Sequence, residues 1–248
     1  MVVVLNVGLS GSNKQENGGG ASFEGGLLTR HYNFFIFDLD GTLTDPKVGI
    51  TNSIRYALER LDIKEGDESR LVKFIGPPLL ESFCRYYGLS DSRARQAIDY
   101  YREYFTNKGI FENQVYDGIR DLLSRLHKHK CQLVIATSKP TIYAKRILKH
   151  FRLHGYFDLV VGSNMDLTRS SKSEVITEVL KFMPDSKGKA ILIGDRADDV
   201  IVAKAYMIDS VAVGYGYGSE SELIAAKPTY TIRTVGELTR LLLGFAEI

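Results

Sequence analysis

The sequence predicts an α/β protein: a doubly wound parallel sheet with a small α-helical domain inserted after its first strand. Three observations carry this. Short, fully apolar runs recur along the chain, the pattern of strands buried on both faces. Helical apolar spacing fills the intervals between most of them, which is the alternation of a parallel sheet. Between residues 48 and 116 only the helical spacing is present.

The first strand is the run Phe34-Phe35-Ile36-Phe37. After an acidic turn, Ile50, Ile54, Ala57, Leu58 and Leu61 mark a helix that Gly66-Asp67 breaks. Gly76-Pro77-Pro78 then interrupts or starts a helix, because proline lacks the amide proton a helix interior needs. Ala94, Ala97, Ile98, Tyr101 and Phe105 form another helical stripe. Beyond Asp117, Ile119, Leu122, Leu123 and Leu126 give a helix, and Gln132–Ala136 a strand. Pro140 opens a helix through Ile147 and Leu148, and Asp158–Gly162 is a short strand. Ser171 and Glu174 have the spacing of a capping box, which sets a helix start. Ala190–Gly194 is a strand, Val200–Tyr206 a helix and Ser210–Val213 a strand. The Gly- and Tyr-rich segment from Gly214 to Ser219 reads as a strand-to-helix turn, closed by a second capping box at Ser219 and Glu222. The expected division is a flexible leader over 1–32, a core from 33–47 and 117–248, and a helical domain over 48–116.

Composition narrows the function. The 248 residues carry a net charge of +2, which gives no argument for a nucleic-acid or membrane-surface partner. No apolar stretch is long enough to span a bilayer, and Val2–Leu9 lacks the basic flank of a signal peptide. A cytoplasmic location is expected. Ser10–Gly26 has linker composition. Cys84 and Cys131 lie far apart and read as structural thiols.

The chemistry concentrates at strand ends. Asp38 and Asp40 follow the first strand two residues apart, so both carboxylates point to one side at the edge where open α/β sheets bind ligands. Two such carboxylates repel unless a cation or a shared proton lies between them. The pair therefore reads either as a Mg²⁺ site with a nucleophile and an acid/base, or as solvated acids at a loop start. Thr137-Ser138-Lys139 ends a second strand with hydroxyls. Lys172 stands beside the N-cap Ser171. Asp195 and Asp199 follow a third strand. In a parallel sheet these ends share one edge.

Taken together, D-x-D-G-T at Asp38–Thr42, Thr137 at a strand end, Lys172, and G-D-x-x-x-D at Gly194–Asp199 resemble the four motifs of the haloacid dehalogenase superfamily. The position of the helical insert resembles the phosphoglycolate phosphatase-like branch. The segments LTDPKVGITNSIRYAL, FIGPPLLESF and GDRADDV with VGYGYGSESEL look most like its bacterial 5'-nucleotidase-like subgroup. This resemblance implies a Mg²⁺-dependent phosphomonoesterase acting on a small phosphorylated metabolite, first among them nucleoside 5'-monophosphates. Asp38 would be the nucleophile and Asp40 the acid/base. Mg²⁺ would sit on the Asp38 carboxylate, the Asp40 backbone carbonyl and Asp195. Thr137 would bind a phosphoryl oxygen and Lys172 balance charge, with Asp199, Gly41, Thr42 and Ser138 in support. Thr51, Asn52, Gly76 and Pro77 are expected to face the leaving group. Phosphoglycolate or another small ester, a phosphomutase reaction, and an inert binding module on the same scaffold are the alternatives. Asp40 argues against a dehalogenase, which needs no acid there.

Overall fold

The first strand of the described residues becomes the centre of the sheet. In the computed structural model, which describes residues 31–184 and 188–246, β1 (Phe34–Phe37) pairs in parallel on one side with β4 (Gln132–Pro140) and on the other with β6 (Ala190–Gly194). Phe35 and Phe37 face one layer of helices and Ile36 the other, as the two-residue period of a strand requires. All three are fully buried, each worth about 1.5–3 kcal/mol of apolar transfer.

Between β1 and β4 run β2 (Thr44–Asp45), α1 (Lys47–Glu59), α2 (Glu68–Val72), α3 (Leu79–Tyr87), α4 (Asp91–Tyr104), a π turn (Phe105–Gly109), β3 (Gln114–Val115) and α5 (Ile119–Lys128). The rest is α6 (Thr141–His150), β5 (Leu159–Ser163), α7 (Lys172–Phe182), then after β6 α8 (Ala197–Ala205), β7 (Asp209–Val213), α9 (Glu220–Ala226), β8 (Tyr230–Ile232) and α10 (Val235–Ala246). The six-stranded order is β5-β4-β1-β6-β7-β8, parallel throughout. After β5 the chain crosses to the far side of β1. This reversal opens the crevice where such sheets take ligands.

Several sequence expectations need correction. Tyr32, assigned to the leader, is 1% exposed and donates its hydroxyl to Asp209 at 2.8 Å, so the fold begins before Asn33. The remainder of the proposed leader, residues 1–30, lies outside the described residues. Residues 48–116 are not purely helical: β3 pairs antiparallel with β2, Thr44 opposite Val115 and Asp45 opposite Gln114. Two-residue strands are too short for alternation to reveal. β4 runs on to Pro140 instead of stopping at Ala136, with a register shift between those two residues. β8 and α10 extend the sheet and its cover beyond the last strand read from sequence. The two cysteines are free, as expected of structural thiols, and burial pushes the Cys131 thiol up. Among the described residues, no helix is long and apolar enough to cross a membrane.

Candidate active site

Strand geometry and helix capping bring the charged groups together. β1 delivers Asp38 and Asp40, buried at 5% and 7% exposure. The turn between them and β2 requires Gly41, whose φ of +80° favours glycine and whose missing Cβ leaves room for the Asp195 carboxylate. The capping box of α7 forms as its sequence predicts, with Ser171 accepting from the Glu174 amide and the Glu174 carboxylate accepting from the Ser171 amide. That fixes the first turn of α7 and aims Lys172 inward. Its ammonium donates to the Ala136 carbonyl at 2.9 Å and lies 2.8 Å from both Asp38 Oδ1 and Asp199 Oδ1. The directed hydrogen bond is the one to the carbonyl; the two carboxylate contacts are ion pairs.

Asp195 follows directly on β6 and is 1% exposed. Its Oδ2 accepts from the Tyr217 amide at 2.7 Å. Its Oδ1 is buried without a hydrogen-bond partner among the described residues. Asp199 accepts from the Arg196 amide at 3.1 Å, so it caps α8 while it pairs with Lys172. Thr137 is buried one residue past the carbonyl that Lys172 holds, and its hydroxyl accepts from the Lys139 amide at 3.2 Å. Thr42 Oγ1 is buried with no hydrogen-bond partner among the described residues.

The electrostatics follow from this crowding. Burial raises Asp40, and the Lys139 charge only partly offsets it. Burial, then the charges of Asp38 and Asp199, push Asp195 well above the carboxylate range. Burial pushes Asp199 up to about 6 against the pull of Lys172. Burial opposes the Lys172 charge, yet Asp199 and Asp38 outweigh it and hold the ammonium protonated.

One oxygen from each of Asp38, Asp195 and Asp199 lies within 4.8 Å of the others. With Lys172 the group carries a formal charge of −2. Hard carboxylate oxygens, an orphaned Asp195 Oδ1 and this charge suit a divalent cation. Lys172 already contacts Asp38 and Asp199, which leaves Asp195 Oδ1 as the buried carboxylate oxygen of the group with neither an ion-pair nor a hydrogen-bond partner among the described residues.

A cavity of about 300 Å³ opens on Asp40. Phe74, Ile98, Tyr101 and Phe105 wall it from the helical insert, Ser138 and Lys139 from β4, and Tyr143 from α6. Gly76, Pro77 and Pro78 line it, and Pro78 also serves as N-cap of α3. Gly76, at φ +107°, packs against Arg196, which donates to the Ile75 carbonyl at 3.2 Å. Thr51 and Asn52 are not among the lining residues; Ile50 is. The Thr51 hydroxyl turns back to the Val48 carbonyl and the Asn52 amide donates to Glu112, so both are spent within the insert. Reading the sequence missed Lys139, whose ammonium lies 2.9 Å from Asp40 Oδ2. It also missed Tyr217, whose hydroxyl donates to Asp45 while its amide holds Asp195.

Comparison with known proteins fits this site. A family model described as haloacid dehalogenase-like hydrolase matches residues 35–213. A curated 5'-nucleotidase of Pseudomonas aeruginosa is 44% identical over 215 residues, covering 85% of this chain and 96% of that protein. Tyrosine-protein kinase PtkA of Mycobacterium tuberculosis is 40% identical over 185 residues, covering 74% of this chain and 62% of the kinase. A crystal structure of a predicted phosphatase from Clostridium acetobutylicum superposes with a TM-score of 0.83 at 49% identity, covering 86% of this chain and 99% of that one. The family match runs from the central strand through β7 and takes in every acid gathered at the sheet edge, so the chain belongs to the haloacid dehalogenase-like hydrolases and is a phosphoric monoester hydrolase.

Proposed function

We propose that the protein hydrolyses nucleoside 5'-monophosphates with Mg²⁺ through an aspartyl-phosphate on Asp38. The supporting observation is the cavity beside Asp40: its volume lies at the lower end of small-molecule sites and its walls are largely apolar and aromatic. A nucleoside would cover those walls; a glycolate would leave most of them bare. The name of the Pseudomonas aeruginosa relative points the same way.

In this reading the Asp38 carboxylate attacks phosphorus and the bond to the leaving oxygen breaks. Asp40, whose burial favours its protonated form, gives that oxygen its proton. Asp40 then takes a proton from the water that attacks phosphorus, releasing phosphate and restoring Asp38. Lys172 holds Asp38 and offsets charge at the phosphoryl group, and the Thr137 hydroxyl binds one phosphoryl oxygen. Asp199 keeps Lys172 in place. Asp38, Asp195 and the Asp40 carbonyl would hold Mg²⁺, which would supply positive charge for the phosphoryl oxygens. The described residues of 32–47 and 117–246 form the catalytic core in this reading, and 48–116 a lid that excludes water.

A screen with Mg²⁺ over nucleoside monophosphates, phosphoglycolate and sugar phosphates tests the substrate. The nucleotides should show the highest kcat/KM. A preference for phosphoglycolate would overturn the substrate reading, and a requirement for a bisphosphate activator would point to a mutase.

The metal has a test without turnover. Carboxyls raised in the folded state bind more protons folded than unfolded between their ordinary value and the raised one. Metal-free stability should therefore fall as pH rises from about 4 to 6. At pH 7, Mg²⁺ at a hundred times its Kd should restore about 2.7 kcal/mol. For a chain of this size that is a rise in Tm of roughly 5–10 °C. The rise should shrink toward pH 4. A Tm indifferent to Mg²⁺ at pH 7 would remove the metal from this cluster.

A further inference from the structure

We infer that Lys139 is the positioning residue of Asp40, and that the helical insert keeps it in place through Phe105. This rests on the acid/base reading of Asp40. The Lys139 ammonium sits between two partners that come from different parts of the chain. On one side is Asp40 Oδ2 at 2.9 Å. On the other is the face of the Phe105 ring, 4.6 Å from its centre. Lys139 is 8% exposed and Phe105 2%, so neither contact is screened by bulk water.

The two oxygens of Asp40 are thereby made unequal. Oδ2 is held by Lys139, whereas Oδ1 is buried with no hydrogen-bond partner among the described residues. Oδ1 is the oxygen left to carry the proton, first to the leaving oxygen and then from the attacking water. An Asp40 free to rotate would present either oxygen and lose that alignment.

The insert supplies the far side of the clamp by a local irregularity. Phe105 opens the π turn that ends α4, and such a turn re-aims side chains relative to a regular helix. The ring stacks on Tyr101 at 5.2 Å and 16° and meets Tyr143 edge-on, so its face stays toward Lys139. If the insert moves off the sheet, Phe105 leaves, Lys139 becomes hydrated and Asp40 loses its fixed orientation. Proton transfer is thus tied to a seated insert.

The test compares Lys139→Met, Lys139→Arg and Phe105→Leu with Asp40→Asn, using a nucleoside monophosphate and aryl phosphates of graded leaving-group acidity with Mg²⁺. For the nucleotide, Lys139→Met should lower kcat by about ten- to a hundredfold, less than the about 10²–10⁴ that the general acid itself contributes, because Asp40 remains. KM should change little, and the loss should shrink as the leaving group improves. Phe105→Leu should show a smaller loss of the same pattern, and Lys139→Arg should recover part of it. An equal loss across the series, or an unchanged kcat, overturns the inference. Should Lys139→Met fail to fold, the same dependence in Phe105→Leu and Lys139→Arg decides, and a uniform loss there also overturns it. Asp40→Asn separates the levels. If it is inactive while Lys139→Met is not impaired, only the Lys139 role falls; if Asp40→Asn is fully active, the acid/base reading itself fails.

Discussion

Asp38→Asn should lose at least about 10⁴ of kcat, on the scale seen when a covalent nucleophile is removed. The amide keeps the shape of the carboxylate but not its charge or nucleophilicity. Among the described residues, the other sheet-edge acids are held in place elsewhere: Asp199 by Lys172 and the Arg196 amide, Asp195 Oδ2 by the Tyr217 amide, and Asp40 Oδ2 by Lys139. The variant should still melt cooperatively, because its neighbours Phe35, Ile36 and Phe37 carry the packing of β1. Intact-mass measurement after mixing with substrate should show no phosphoryl adduct. A variant that retains substantial turnover, in a preparation free of contaminating phosphatase, sinks the nucleophile assignment.

The second large effect is expected at Asp40→Asn. Here kcat for an alkyl phosphate should fall by about 10²–10⁴. The signature lies in the separation of steps. With an aryl phosphate whose leaving group needs no proton, phosphoryl transfer to Asp38 should still proceed, but the water step loses its base. One equivalent of phenol per enzyme should therefore appear in a burst, followed by slow turnover, and the phosphoryl adduct should accumulate. Loss of the burst together with steady-state activity would mean that Asp40 does something other than move protons.

The legibility of this molecule in its sequence followed the range of the interactions. The alternation of apolar strands and helical stripes gave the fold class, because each strand of a covered parallel sheet must be apolar on both faces. The capping box at Ser171 and Glu174 told where α7 starts, and hence where Lys172 stands. Sheet order was not readable, since nothing in the apolar residues of β1 says that β4 and β6 will flank it. Lys139 escaped notice for a related reason. It lies two residues after Thr137, as Asp40 does after Asp38, but the register shift in β4 and the approach of Phe105 are tertiary facts. Tyr217 holds Asp195 with a backbone amide, a group every residue but proline carries, so no side-chain pattern could announce it. Thr51 and Asn52 were misjudged because polar residues near an active-site turn can be used up by their own helix.

The central place of β1 also bears on how the chain is made. Of the six strands of the sheet it is synthesised first, yet Phe34 pairs with Gln132 and Ala190, roughly 100 and 150 residues later. At about 5–20 residues per second, a nascent Phe-Phe-Ile-Phe segment waits on the order of 5–20 s for its first neighbour. During that time both its edges are unpaired and its most apolar side chains have no sheet to join. β1 cannot be paired on both edges on the growing chain until β6 has left the ribosome, and the interval exposes it to chaperones and to the same segment of other nascent chains.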